Sequence, residues 1–204
     1  GAGDQFKPEF LAISPNNKIP AIVDPDGPDG RPMSLFESGA ILLYLAEKSG
    51  QFLSPPPERG PMLSWLMFIA SGIGPFTGQC VHFKHYAPEQ IAYAVNRYDF
   101  EAWRHWKILD AHLTNKPWMA GDSYTLLDMA LWGWCRAVPF ALGELAWEQL
   151  PNVKRVFDAV NARPAAQRAA ALKDRHAFKT EMDDAARRAM FPQNERLPRR
   201  FEIE

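Results

Sequence analysis

The apolar positions of this chain change period along its length, and the changes mark its elements. Phe6, Phe10, Leu11 and Ile13 fall within residues 4–13, with Pro8 suited to a first helical turn. A short helix is predicted there, ended by Ser14-Pro15-Asn16-Asn17. Residues 19–24 read as a strand. The run Asp24-Pro25-Asp26-Gly27-Pro28-Asp29-Gly30 is dense in residues that fix or free the backbone angles of a reversal, so residues 32–36 are predicted to return antiparallel as a hairpin. Glu37 or Ser38 then caps a helix. Ile41, Leu42, Leu45 and Ala46 recur at its helical spacing, Lys48 suits its C-terminal dipole, and Gly50 closes it.

Ser54-Pro55-Pro56-Pro57-Glu58 is a stiff connector that continues neither helix nor strand. Beyond it the pattern is wholly helical. Residues 62–71 form one apolar helix, which Gly72, Gly74, Pro75 and Gly78 are predicted to break or kink before residues 80–86 resume it. After Pro88, Ile91, Val95, Tyr98, Ala102, Trp106, Leu109 and Leu113 step by three or four residues and give a long helix one buried face. Thr125 and Asp128 have capping-box spacing, with Asp in place of the usual Glu or Gln. Leu127, Leu131, Trp132, Trp134, Cys135 and Val138 surround the axis of the helix they open, as in a central segment. Val153, Val156, Phe157 and Val160 line another helix, and Arg163-Pro164 precedes an alanine-rich one. From Lys173 the apolar content falls, and the tail is expected to wrap the surface or to move.

Composition narrows the class. With 204 residues, 47% of them hydrophobic, the chain can bury a sizeable core in one or two domains. Its 24 acidic and 23 basic side chains leave a net charge of −1, which offers no strong field to nucleic acid or to an anionic membrane surface. Acidic residues interrupt the basic pairs of the tail, Arg187-Arg188 and Arg199-Arg200, and no stacking platform accompanies them. No apolar run approaches the roughly eighteen residues that a membrane span needs. Cys80 and Cys135 form no CxxC unit, so they read as reduced thiols and the cytoplasm as the default location. Cys80, His82 and His85 offer metal-ligating atoms without a fourth ligand or regular spacing, so no metal is assigned and a helix-surface cluster is expected. Cys135 is expected to be a small core residue.

The chemistry concentrates around the hairpin. A proline opening a strand donates no amide, and a cis bond before it would leave the amide and carbonyl of Ile19 free to pair with an extended ligand backbone. Past the second strand, Ser38 offers a hydroxyl and an amide at a helix N-terminus, where the dipole favours a carboxylate, and Glu37 offers a negative group to an ammonium. Lys18 can reach a second carboxylate. Taken alone, Glu37-Ser38 is more often only a helix cap. Together with Ile19-Pro20 it describes a half-site for a small peptide with an amino-acid head and a distal carboxylate.

The segments from Ser14 to Ile22 and from Leu35 to Leu45 resemble the glutathione-binding segments of the glutathione S-transferase superfamily, and look closest to its bacterial nu class. Gly3-Asp4-Gln5-Phe6, residues 72–79, Asn96-Arg97-Tyr98 and Tyr124-Thr125-Leu126-Leu127-Asp128 have counterparts there as well. The resemblance implies an α/β thioredoxin-like N-terminal domain followed by an all-helical C-terminal domain. The domains would cover residues 1–53 and 59–172, with a linker at 54–58 and a C-terminal extension at 173–204. It also implies a homodimer and glutathione as bound cosubstrate. Glu37 and Ser38 would hold the γ-glutamyl head, Ile19 beside Pro20 the cysteinyl backbone, and Lys18 and Gln5 the glycyl end or its neighbourhood. Phe76, Phe83, Tyr86, Arg97 and Tyr98 are candidates for a second-substrate pocket, although packing explains them equally well. The implied activity is glutathione-dependent disulfide-bond reduction, with peroxidase or transferase activity, on a small disulfide, peroxide or electrophile; the alternative is a non-catalytic glutathione-binding or interaction module. The family's thiol-activating residue lies after a first strand, ahead of the segments matched here. No catalytic residue is therefore assigned, and the thioredoxin-like domain is expected to be truncated, with an exposed sheet face and edge.

Overall fold

The computed structural model describes residues 3–176 and 182–196. They form two compact units, one running from Ser38 to Ala169 and one made by the two ends of the chain, up to Glu37 and from Ala170. The expected first helix is split into a 3-10 turn, Asp4–Phe6, and helix α1, Pro8–Leu11. Lys7 between them is extended, at ψ 141°, because a residue before proline is driven out of the helical region by the proline ring. Strands β1 (Ala21–Asp24) and β2 (Met33–Phe36) pair antiparallel, with Ala21 opposite Phe36 and Asp24 opposite Met33. Gly27 is required in the connection, since a Cβ there would stand 2.6 Å from the carbonyl oxygen of Arg31.

Helix α2 (Ser38–Ser49) ends at Gly50, whose φ of +66° lets its amide turn back to the carbonyl of Glu47 and that of Gln51 to Ala46. The prolines of the connector build a 3-10 turn, Pro56–Glu58, that leads into α3 (Arg59–Phe68), where a missing amide hydrogen costs little. Of the predicted break or kink after residue 71, the structure shows no break. The helix runs through a π-helical turn, Ile69–Ile73, into α4 (Gly74–Val81) and a second π-helical turn, His82–Tyr86. A wider turn accommodates Pro75, which cannot donate to the ladder. Gly72 and Gly74 serve close packing instead, for a Cβ would lie 2.6 Å from His105 Cδ2 at the first and 2.8 Å from Trp134 Cζ2 at the second.

Of the expected stripe on helix α5 (Ala92–His112), Ala102, Trp106, Leu109 and Leu113 are buried, joined by His105, while Ile91 stays outside the helix and 40% exposed. Then come α6 (Leu126–Cys135), α7 (Val138–Leu142), α8 (Ala146–Gln149), α9 (Pro151–Asn161) and α10 (Pro164–Ala171). In the tail lie a 3-10 turn, Leu172–Arg175, and α11 (Asp184–Met190). Val153, Val156 and Val160 of α9 are buried as expected, while Phe157 is half-buried and stacks on Trp147 at 5.5 Å. Asp110 on α5 caps α9 by accepting from the backbone amides of Asn152 and Val153 at 2.8 and 2.9 Å. Arg155 on α9 reciprocates, donating to the carbonyls of Leu113 and Lys116 past the end of α5.

The core belongs to the helical unit. Met62, Leu66, Ile73, Trp106, Leu109, Leu126, Leu131 and Val156 are among its buried side chains. Among the described residues the chain-end unit buries only Ser14 and Ala186, and Val23 and Phe36 of the hairpin remain 49% and 39% exposed. No helix among the described residues is long and apolar enough to cross a membrane.

Candidate functional site

Antiparallel register places the two halves of the predicted site at the same end of the hairpin. Ala21 faces Phe36, so Pro20 just before β1 and Glu37 just after β2 flank one pair. The turn leading into Pro20 is pinned from below. The buried hydroxyl of Ser14 donates to the carbonyl of Lys18 at 2.8 Å, and the amide of Asn17 donates to Ser14 at 2.9 Å while Asn17 takes φ +49°. The Ile19–Pro20 peptide is cis. Ile19 is 83% exposed, and among the described residues neither its amide nor its carbonyl makes a hydrogen bond. A backbone donor and acceptor facing outward are what an extended peptide needs for two antiparallel bonds.

Glu37 takes φ +70°, a left-handed conformation that costs a residue with a Cβ about 1–2 kcal/mol. That conformation turns the chain from strand into α2 within one residue, so Ser38 opens the helix and its amide belongs to the unpaired first turn. The side chains of Lys18, Glu37 and Ser38 are exposed. Gln5 stands apart in its bonding: its side-chain amide donates to the carbonyl of Ala189 on α11 at 3.2 Å.

Within the helical unit, Ser38 and Gly39 open onto a cavity of about 280 Å³ with apolar walls from Leu42, Leu66, Ile69 and Trp134. The sequence names Leu42 and Trp134 only as packing positions of their helices and places none of the four at a cavity. Their signal was present in the small residues Gly39, Ala70, Ala130 and Gly133, which stand at the same cavity on α2, on the π-helical turn after α3 and on α6.

The candidates for a second-substrate pocket divide. Phe76, Phe83 and Tyr98 come together as a row of half-buried rings, Phe83 stacked on Tyr98 at 5.2 Å and Phe76 lying 6.4 Å from Tyr98. The row continues through His105, whose ring is 4.5 Å from Phe76 and 5.3 Å from Phe68. Tyr86 lies 6.2 Å from Phe140 on α7, and Arg97 is exposed. A wider groove of about 700 Å³ along α5 is lined by Phe100, Trp103 and Lys107, and by none of the five candidates.

Neither cysteine is placed for chemistry. Cys80 is fully buried, contrary to its expected place in a surface cluster, and its thiol donates to the carbonyl of Ala141 at 3.4 Å. A helix that continues through a π-helical turn rotates Cys80 inward. Burial pushes its pKa up, partly offset by the Lys84 ammonium, and burial does the same to Cys135 in the core. A thiol held protonated is a poor nucleophile. The native protein is therefore expected to react with an aromatic disulfide reagent at neither cysteine within minutes, and at both once urea unfolds it; a fast native phase would contradict the burial. No group of three or more His, Cys, Asp or Glu among the described residues could hold a metal ion.

Comparison with known proteins gives this geometry a context. Residues 1–48 match the model of the glutathione S-transferase N-terminal domain, and residues 83–168 that of the C-terminal domain. Over 167 residues the chain is 50% identical to the disulfide-bond oxidoreductase YfcG of Escherichia coli, covering 81% of this chain and 77% of that protein. It is 42% identical to the disulfide-bond oxidoreductase YghU of the same organism, where it spans 60% of the relative's length. A glutathione transferase from Burkholderia graminis, solved with two glutathione molecules bound per subunit, superposes with TM-score 0.80 at 42% identity, over 85% of this chain and 75% of that one. One from Pseudomonas putida, solved with one glutathione disulfide per subunit, gives 0.76 at 45% identity, over 81% of this chain and 74% of that one. These matches bear out the expected architecture, a thioredoxin-like N-terminal domain, here with a two-stranded sheet, and a mostly helical C-terminal domain.

Proposed function

Because the chain belongs to the glutathione S-transferase family, we propose that it works as a glutathione-dependent disulfide-bond oxidoreductase, with the bound peptide supplying the nucleophile. The observation that carries this reading is the exposed, unpaired backbone of Ile19 at the hairpin end shared with Glu37. Two backbone bonds at Ile19 would hold the cysteinyl residue of glutathione. The carboxylate of Glu37 and the amide and hydroxyl of Ser38 would take its γ-glutamyl ammonium and carboxylate, and Lys18 and Gln5 its glycyl end. Glutathione is also what the structural relatives were solved with, as two glutathione molecules per subunit in one case and as one glutathione disulfide in another.

In the reaction, the thiolate of one glutathione attacks a sulfur of the substrate disulfide, forming a mixed disulfide and expelling one substrate thiolate. A second glutathione thiolate attacks the glutathione sulfur of the mixed disulfide, releasing glutathione disulfide and the second substrate thiolate, and each expelled thiolate takes up a proton. Neither step needs an enzyme cysteine, which agrees with the burial of Cys80 and Cys135. A homodimer acting in the cytoplasm is part of the same proposal.

The test is turnover of a small disulfide such as hydroxyethyl disulfide by the full-length protein, with glutathione disulfide formation followed through glutathione reductase and NADPH. Turnover in proportion to enzyme is expected. Rapid conjugation of chlorodinitrobenzene without disulfide turnover would make it a transferase instead, and glutathione binding without either would make it a binding module.

A further inference from the structure

We infer that helix α11, from the C-terminal tail, is a structural part of the glutathione site because it fixes the side chain of Gln5. This rests on the proposal that Gln5 meets the peptide. The tail groups with the N-terminal residues in one compact unit. Helix α11 is a well-made element: the carboxylate of Asp183 accepts from the amide of Ala186 at 2.8 Å as its N-cap, Asp184 stands in its first turn, and Arg187 and Arg188 stand in its last. Ala186 is 5% exposed, so the helix is seated and not merely adjacent. From that seat the carbonyl of Ala189 accepts from Gln5 Nε2 at 3.2 Å, across 184 residues of sequence.

A glutamine amide carries two N–H donors and a carbonyl acceptor. With one donor held by Ala189, the plane of the amide is set, and the second N–H and the Oε1 remain for a ligand. A free glutamine would lose its rotamer freedom on binding; a side chain already held loses little, and the difference appears as affinity. Gln5 is half-buried at the centre of a 3-10 turn of three residues, none of whose side chains is fully buried, so the turn has little core packing to hold it. In this arrangement α11 is a positioning element, and Gln5 is the group it positions.

The test is a double-mutant cycle on the full-length protein. Glutathione affinity is measured by calorimetry for the wild type, Ala186→Glu, Gln5→Ala and the double variant, while the Gln5 side-chain amide is followed by nitrogen-15 NMR without ligand. Ala186→Glu unseats α11 and is expected to weaken binding about five- to tenfold, in line with the entropy of one long side chain, and to average the Gln5 amide signals. Gln5→Ala is expected to weaken binding by a similar factor, and the double variant no further. Unchanged or tighter binding in Ala186→Glu, independent losses in the two singles, or an amide equally mobile in wild type and variant would overturn the inference. A wild type without affinity for glutathione would instead overturn the proposed function, and the NMR signal would still report whether α11 holds Gln5.

Discussion

Replacing Glu37 by alanine is expected to weaken glutathione binding about thirty- to a hundredfold, the equivalent of about 2–3 kcal/mol for a charge-assisted hydrogen bond to an ammonium. The substitution is informative because of the backbone. At φ +70° alanine carries a left-handed cost similar to that of glutamate, so it keeps the conformation and the strain while removing the carboxylate. The side chain is exposed, so the change should leave stability within about 0.5 kcal/mol. Calorimetric titration with glutathione beside a urea melt separates the two quantities. Affinity equal to wild type would remove Glu37 from the site, and with it the reading that the strand-to-helix turn recognises an amino-acid head. Glycine at the same position relieves the left-handed conformation and should combine weaker binding with a more stable fold.

Asp128→Ala is expected to destabilise the helical unit by about 2–6 kcal/mol, at about 1–3 kcal/mol for each of the two buried donors it leaves unsatisfied. Both carboxylate oxygens are committed, Oδ1 accepting from the amide of Met119 and Oδ2 from that of Thr125, each at 2.8 Å. Asp128 is 0% exposed, Met119 2% and Thr125 1%, so alanine would leave two backbone donors without water or partner. The thermal midpoint should fall by about 10 °C for a chain of this size. Burial also pushes the carboxyl from its ordinary 3.8 up to about 6, against the pull of the bonds from Met119 and Thr125. A raised pKa means that the folded chain holds a proton the unfolded chain has released. This contribution to stability is complete below pH 3.8, is lost as the pH rises through about 6, and stays flat above. Urea midpoints taken at pH 4, 5, 6 and 7 should show a downward slope that Asp128→Asn abolishes; a slope surviving in that variant would place its source elsewhere.

Local chemistry was the most legible part of the chain. The hairpin followed from its turn formers, the long helix from its three-and-four spacing, and the cap on α6 from Thr125 and Asp128, because each is decided by residues within a few positions of one another. The two ends of the half-site were legible as chemical groups, since Ile19-Pro20 and Glu37-Ser38 are adjacent residues, whereas the left-handed backbone of Glu37 is set by the surrounding structure. Position in the interior was harder. Gly72, Gly74 and Pro75 read as a helix break or kink, yet the helix continues through a π-helical turn, because the space those glycines open is filled by His105 and Trp134 from other helices. Cys80 moved from surface to core with the same continuation, and among the aromatic candidates only packing could separate Phe76, Phe83 and Tyr98 from Tyr86.

By itself, then, the sequence determined the elements and the groups that can grip an extended peptide, since torsional preference, capping and missing amides act over single turns. The tertiary structure alone decided that both thiols are closed off from solvent and that Gln5 rests on a carbonyl 184 residues away. Those outcomes depend on which distant surfaces exclude water from each other, and no window of local sequence contains that information.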